Sequence, residues 1–444
     1  MGRVIRVVLV AVAALLVTAV TLAASLPYVF DEGDGDSAWP GWGFTHTQFS
    51  ADDGEPAAVD TIADALKAGP PMLQSQHIMG WGVDNPEPAP GQYNFADLDL
   101  RMDFIQRTGG VPVIVLCCSP DWMKGGEEGE TDWDNLEVAP LPEHFADFAA
   151  LSKKVAQRYP YVRHFVVWNE FKGFFDDERK RWRAEDYTDL YNAVYDAVKE
   201  ANPENQVGGP YLDFASLPPN SPDASEELHG AWGAVDQRVL DAFTYWNQHR
   251  KGADFVVVDG HATTTTGASN EFAALEEFGA VGAWLQKQTD LPIWWTEWYV
   301  DPASLDFPPE HQVALRVSAM IELASTGAQT VLYWNPYPKG ADCAICLWTD
   351  TWKPDGGQPL PFLTDVIERF VRDFPPDVER RKVPAADGLV ALEAGRTLLV
   401  VNTTDAPISA TVHRQQMEMS PYEVKWVTLP RWVEALDWVD DTFG

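Results

Sequence analysis

Short apolar runs alternate along this chain with stretches whose apolar residues recur every three or four positions. Runs of four to eight apolar residues bounded by polar or turn residues read as buried strands, and the recurrent stretches read as amphipathic helices. Strands are predicted at residues 41–47 (G-W-G-F-T-H-T), 71–78, 111–118 (V-P-V-I-V-L-C-C), 164–168, 206–210 (Q-V-G-G-P), 254–261 (D-F-V-V-V-D-G-H), 291–299 (L-P-I-W-W-T-E-W-Y) and 329–335 (Q-T-V-L-Y-W-N). Helices are predicted between or after them, at residues 59–68, 93–108, from 142, around 187–198, 235–249, 272–288, 309–325 and 361–374. In the helix around 187–198, Tyr187, Leu190, Tyr191, Val194, Tyr195 and Val198 fall on one face. Eight strand–helix units in succession predict a parallel sheet closed into a (β/α)8 TIM barrel over residues 41–380. An open doubly wound sheet is the rival, but the glycine-rich phosphate loop usual after its first strand is absent.

The grammar changes near residue 383. Four short strand-like segments (G-L-V-A-L-E-A-G, T-L-L-V-V-N-T-T, I-S-A-T-V-H and Y-E-V-K-W-V-T-L) follow, separated by turn residues. They predict a small C-terminal β-sandwich-like module, which with an acidic, aromatic tail occupies residues 381–444. Residues 215–226, rich in Pro and Ser, read as a long loop.

Composition narrows the partners. The formal net charge is −35, from 67 acidic against 32 basic residues, spread along the chain. Such a surface repels nucleic acid and anionic membranes, which excludes both as main partners. Nineteen tryptophans supply indole faces suited to stacking on sugar rings, although a tryptophan-rich core accounts for many of them. Arg3 and Arg6 precede an apolar stretch at residues 7–26, and an acidic stretch follows at 31–36. This order predicts export, with residues 1–30 a cleaved signal peptide or a retained membrane anchor and 31–40 a linker. The expected location is extracellular, secreted or tethered to the outer face of the membrane. An exported chain permits disulfides, and the four cysteines allow three pairings, of which a local Cys343–Cys346 bridge is favoured. Adjacent Cys117 and Cys118 are poorly spaced as zinc ligands.

Two carboxylates stand out. Glu170 and Glu297 each end an apolar strand, where a carboxylate is costly unless it has a task or a partner. On predicted strands four and seven of a barrel they share one mouth. One protonated and one ionised carboxyl group across a pocket is what glycosidic bond cleavage requires. A strand-end glutamate paired with a neighbouring basic residue is the plainer alternative for either.

On these residues the chain resembles the retaining glycosidases of clan A, and most of all glycoside hydrolase family 39, the β-xylosidase-like barrels. The resemblance is carried by Trp168-Asn169-Glu170, Val207-Gly208-Gly209-Pro210, His261, Thr296-Glu297-Trp298, Trp334 and Gly91-x-Tyr93-x-Phe95-x-x-Leu98-Asp99, and covers roughly residues 41–430. It implies Glu170 as acid/base and Glu297 as nucleophile. It further implies Asn169 on the sugar 2-hydroxyl, His261 beside the nucleophile and Trp334 as the floor of the sugar site. Trp81, Trp122, Trp168, Trp298 and Trp348 complete the candidate sugar contacts. Phe171-Lys172 stands where relatives often carry Pro-Asn, and Thr263 where they often carry tyrosine, so the substrate stays open. The nine histidines form no H-x-H or H-E-x-x-H pattern, and the expected chemistry needs neither metal nor organic cofactor. The expected function is retaining hydrolysis of β-glycosidic bonds in an extracellular oligo- or polysaccharide. A transglycosylase with the same intermediate and a non-catalytic carbohydrate-binding protein are the alternatives. The sequence leaves the oligomeric state open.

Overall fold

The structure of the chain, a computed structural model, describes residues 39–47, 54–79, 85–127, 129–130, 135–336 and 343–430. The export segment, all but the last two linker residues, Trp81 and the C-terminal tail lie outside the described residues. Among the described residues no helix is long and apolar enough to cross a membrane.

Eight strands form the predicted closed barrel: β1 (Trp42–Thr45), β2 (Leu73–His77), β3 (Val111–Leu116), β4 (His164–Val167), β5 (Gln206–Asp213), β6 (Phe255–Asp259), β7 (Ile293–Trp295) and β8 (Thr330–Trp334). Each strand pairs in parallel with its neighbour in sequence, and β8 closes on β1 from Trp42–Val331 to Thr45–Trp334. Strands covered on both faces need no polar side, which is why β6 reads F-V-V-V-D and is buried throughout. A parallel barrel also sets every carboxyl end at one mouth.

The main helices are α1 (Pro56–Ala68), α2 (Ala96–Arg107), α3 (Phe145–Arg158), α4 (Ala184–Ala201), α5 (Gln237–His249), α6 (Glu276–Gln288), α7 (Pro309–Ser325) and α8 (Glu368–Asp373). A π-helical segment, Phe362–Ile367, leads into α8. Helix α4 buries the predicted face of Tyr187, Leu190, Tyr191, Val194 and Val198. Helix α7 starts on the predicted proline and is buried along much of its length, because the C-terminal module covers its outer side.

That module contains β9 (Arg381–Lys382), β10 (Leu389–Ala394), β11 (Thr397–Asn402), β12 (Ile408–Val412), β13 (Gln415–Met419) and β14 (Val424–Thr428). Antiparallel β9, β10, β11 and β14 form one sheet, and β12 pairs with β13. Leu392, Ala394, Leu399 and Val401 join the barrel's core, while Leu389, Leu398, Val400, Met417 and Met419 build a small second core.

Two expectations are corrected. The loop expected at 215–226 contributes to a three-stranded antiparallel sheet of Ser216–Leu217, Ala224–Gly230 and Gly233–Asp236. Trp39, assigned to the linker, packs on His164 and Trp294 and donates to Thr330 Oγ1 at 3.0 Å. The favoured Cys343–Cys346 disulfide is present with S–S 2.01 Å, and Cys117 and Cys118 are also bonded to each other.

Candidate active site

Beyond Val167 the chain leaves strand β4 by entering the left-handed region at Trp168 (φ 69°), Glu170 (φ 44°) and Phe171 (φ 56°). Three non-glycine residues in that region within four positions are costly, and such clusters occur where side chains must be aimed. Packing holds the turn in place. Phe171 packs on Tyr187 of α4 with ring centroids 4.0 Å apart, and the Tyr187 hydroxyl donates to Val167 O at 2.9 Å. Trp168 is fully buried against Phe148 and Phe174, and its indole donates to Lys172 O.

Asn169 and Glu170 project from this turn at the barrel mouth and are themselves buried. Asn169 Nδ2 donates to Glu137 Oε1 at 2.9 Å, and His77 Nε2 from the end of β2 lies 3.3 Å from Asn169 Oδ1. Burial lowers His77 to about 4, so the ring is neutral near pH 7. Lys172 ion-pairs with Glu170 Oε2 and donates to Glu137 Oε1 at 3.1 Å. Burial alone would raise Glu170. A hydrogen bond from Asp259 and the Lys172 ammonium outweigh it and hold the carboxyl below its ordinary range.

Glu297 lies two residues beyond β7, wholly within the protein. Tyr211 Oη donates to Glu297 Oε1 at 2.6 Å and Tyr299 Oη to Oε2 at 2.7 Å, so both oxygens are held. Tyr211 reaches this position through a β-bulge: Val257 of β6 pairs with Pro210 and Val258 with Leu212, leaving Tyr211 as the extra residue with φ 55°. Burial, then the charge of Glu170, lifts Glu297 to about 8 against the pull of the two hydroxyls and Lys172. Glu170 and Glu297 therefore share one electrostatic pocket. In its substrate-free state the proton favours Glu297 over Glu170.

Two further carboxyl groups border them. Asp259 ends β6 with no exposed surface, and Asp213 ends β5. Burial, the hydrogen bond to Glu170 and the charges of Glu170, Asp213 and Glu297 push Asp259 well above its ordinary value. Burial lifts Asp213 to about 6, with His261 opposing and Glu170 adding. His261 Nε2 lies 3.8 Å from Asp259 Oδ2, and its ring meets Tyr299 edge-on at 4.7 Å. Glu170, Asp259 and His261 bring one ligand-type atom each within 4.8 Å of one another. The Lys172 ammonium already neutralises Glu170, so a cation there would face a like charge; the group is suited to sharing protons.

Of the predicted aromatic contacts, Trp334 and Trp298 line a cleft of about 750 Å³ together with His261, Tyr299, Asp301 and Leu305. The cleft abuts the carboxylates through Tyr299 and His261. Trp122, on the turn after β3, donates to Glu87 O and packs on His144. Trp348 is buried on Phe44. Full burial leaves Trp168 no face for a sugar, which corrects its assignment as a sugar contact; its place is under the Glu170 turn. The sequence reading passed over Tyr211, Tyr299, Asp213, Asp259, His77 and Glu137. Tyr211 directly follows the flagged G-G-P and Asp259 precedes His261 by two, but nothing in their spacing marks them as pocket residues.

Comparison with known proteins agrees with this architecture. The sequence profile of glycosyl hydrolases family 39 matches residues 84–336, more than half of the chain and including Glu170, Asp259 and Glu297. A curated β-xylosidase of Caldicellulosiruptor saccharolyticus is 23% identical over 294 residues, 61% of this chain and 51% of the relative. The chain thus spans about half the length of the curated relative it matches. A family 39 enzyme from Xanthomonas axonopodis pv. citri superposes with TM-score 0.51 at 16% identity, covering 83% of this chain and 72% of that one. A monomeric β-xylosidase from Caulobacter crescentus CB15 gives TM-score 0.51 at 17% identity, covering 86% and 76%. These two likenesses speak for the fold, and the profile match, running from beyond β2 to beyond β8 across both strand-end glutamates, speaks for descent. The chain belongs to glycosyl hydrolases family 39.

Proposed function

We propose that the protein is an exported retaining glycoside hydrolase that cleaves β-glycosidic bonds in an extracellular oligo- or polysaccharide by double displacement. The observation that carries this reading is the pairing of Glu170 and Glu297 in one pocket at the carboxyl ends of β4 and β7, where the charge of Glu170 helps raise Glu297. Glu297, oriented by two phenol hydroxyls, attacks the anomeric carbon as the carbon–oxygen bond to the leaving group breaks. Glu170 delivers a proton to the departing oxygen and then takes one from the water that hydrolyses the glycosyl ester. Asn169, fixed by Glu137 and His77, meets the sugar 2-hydroxyl, while Trp334 and His261 border the sugar. The reaction begins with the proton on Glu170 and none on Glu297, the reverse of the substrate-free pocket. Glu297 reaches that state by losing its proton to solvent as the pH rises, and Glu170 holds a proton as the leaving oxygen accepts a hydrogen bond from it.

The β-xylosidase names of two relatives make an aryl β-xyloside the first substrate to try. The basic, apolar, acidic order of residues 1–36 supports export. The deciding experiment separates the two glutamates. Glu297→Ala loses turnover on all substrates, and azide or formate restores it with inverted configuration. Glu170→Ala retains turnover of activated aryl glycosides far better than of substrates with poor leaving groups, and azide then gives a product of retained configuration. Normal activity in either variant ends the reading.

A further inference from the structure

The proposed acid/base sits in surroundings that work against it. Glu170 is ion-paired to Lys172, and a carboxylate so paired holds its proton weakly. A general acid needs a proton in place at the working pH. Asp259 supplies what the pair lacks. It lies at the end of β6 without exposed surface, with a carboxyl oxygen within 4.8 Å of one on Glu170. Its Oδ1 accepts from Gly260 N–H at 2.5 Å, and its Oδ2 meets no donor among the described residues. His261 Nε2 at 3.8 Å is beyond hydrogen-bond reach. Two buried carboxyl groups this close together favour keeping one proton between them, because both cannot readily ionise side by side out of water.

We propose that Asp259 is a positioning residue that holds the acid's proton, so that Glu170 and Asp259 share a single proton and pass it to the leaving oxygen. This rests on Glu170 being the acid/base. The charges balance through the reaction. Before it, the pair carries one negative charge and ionised Glu297 another. When the leaving group departs with the shared proton, the pair becomes doubly negative while Glu297 becomes a neutral ester. The total is unchanged, and the repulsion of Glu297 on the pair disappears as the pair gives up its proton. In the second step water supplies the hydroxyl that releases the sugar, and its proton returns to the pair.

The groups facing Asp259 fit this role. From the β4 end come Glu170 and Lys172, from β5 Tyr211 and Asp213, from its own strand His261, and from β7 Glu297 and Tyr299. Besides Glu170 itself, two of these, Asp213 and Glu297, are carboxyl groups, which oppose a second negative charge on the pair. Lys172 is the counterweight that lets the pair release its proton.

Asp259→Asn tests the assignment, since asparagine keeps a donor toward Glu170 but cannot yield the shared proton. The variant is expected to lose about a hundredfold in kcat/KM on alkyl or poor-leaving-group glycosides while activated aryl glycosides lose far less. The alkaline limb of its pH profile is expected to move down by about one unit, because Glu170 then keeps its proton without a neighbouring carboxylate. Equal losses on both substrate classes with an unmoved limb mean a purely structural role and overturn the proposal. The wild-type protein gives a second test independent of the variant's folding: its alkaline limb on poor leaving groups lies above neutrality despite Lys172, and a limb below about pH 6 overturns it. Magnesium, calcium or EDTA should change neither rate nor thermal midpoint. A cation that stabilises the wild type but not Asp259→Asn would make the cluster a metal site and overturn proton sharing. Glu170→Ala keeps the two levels apart. If that variant shows no leaving-group dependence, the acid/base reading itself fails; if it does and Asp259→Asn does not, the shared proton alone fails.

Discussion

Glu297 is the residue whose environment most constrains the chemistry. As the proposed nucleophile it must be ionised, yet burial and the charge of Glu170 lift this carboxyl to about 8. Activity should therefore rise with pH through neutrality toward about 8, measurable as the acid limb of kcat/KM. Stability runs the other way. A carboxyl whose folded pKa is raised binds more protons folded than unfolded, so folding loses stability as pH climbs from the ordinary carboxylate range toward about 8. Tyr211 moderates this by donating to Glu297 Oε1 at 2.6 Å. In Tyr211→Phe the carboxylate loses one of its two held donors, its pKa rises further and the acid limb moves up. A hydrogen bond to a charged group contributes about 1.5–3 kcal/mol, so kcat/KM at pH 7 should fall by roughly ten- to a hundredfold. An unchanged limb in Tyr211→Phe would show that the hydroxyl does not govern the ionisation of Glu297.

Among the elements, strand β5 shows best what the hydrophobic pattern conveys and where it stops. Its glycines were legible as a motif but not as packing. A Cβ on Gly208 would come within 2.1 Å of the Phe255 ring, and one on Gly209 within 2.7 Å of Tyr191. Gly208→Ala should accordingly destabilise by about 1–3 kcal/mol, the usual cost of overpacking, read as a lower denaturant midpoint. A midpoint equal to wild type would mean the Phe255 ring yields freely. The same strand runs to Asp213 instead of ending at Pro210, because pairing with β6 resumes at Leu212 beyond the bulge at Tyr211. A reading that stopped at the proline therefore passed over Tyr211 and Asp213. Glu170 and Glu297 were visible because a charge at the end of an apolar strand breaks the pattern; Asp259 breaks it likewise within D-F-V-V-V-D-G-H, but His261 drew the reading past it. Strand β13 (Q-Q-M-E-M) was missed because it carries no β-branched or aromatic residue, its place being set by pairing with β12. The residues at 216–236 formed strands against their composition for the same reason: the partners are non-local, and no local propensity reports them.

Across the whole molecule, the barrel and the C-terminal module are joined more closely than a change of sequence grammar suggests. One face of the module's sheet contributes Leu392, Ala394, Leu399 and Val401 to the barrel's core. Trp426 of β14 packs between Phe370 and Phe374 at 5.6 Å from each, with Arg369 of α8 over its face at 4.2 Å. Tyr422 stacks on His311 of α7 at 3.9 Å, and Lys382 bonds Glu322 on the same helix at 2.6 Å. The ion pair is half-exposed and contributes little, about 0–1 kcal/mol, so the apolar seam decides. Helix α7, buried beneath the module, packs on the barrel with its other side, which couples the module's docking to the barrel behind the active site. A seam that completes a shared core should make the two parts unfold together, because neither can leave without exposing the other's apolar surface. Calorimetry should show a single transition over the barrel and module. Trp426→Ala, which opens the seam at a half-buried indole, should lower that transition as a whole by about 2–3 kcal/mol, somewhat below the cost of emptying a fully buried tryptophan site. Two separate transitions, with only the smaller one shifted by Trp426→Ala, would show that the module folds as an independent unit.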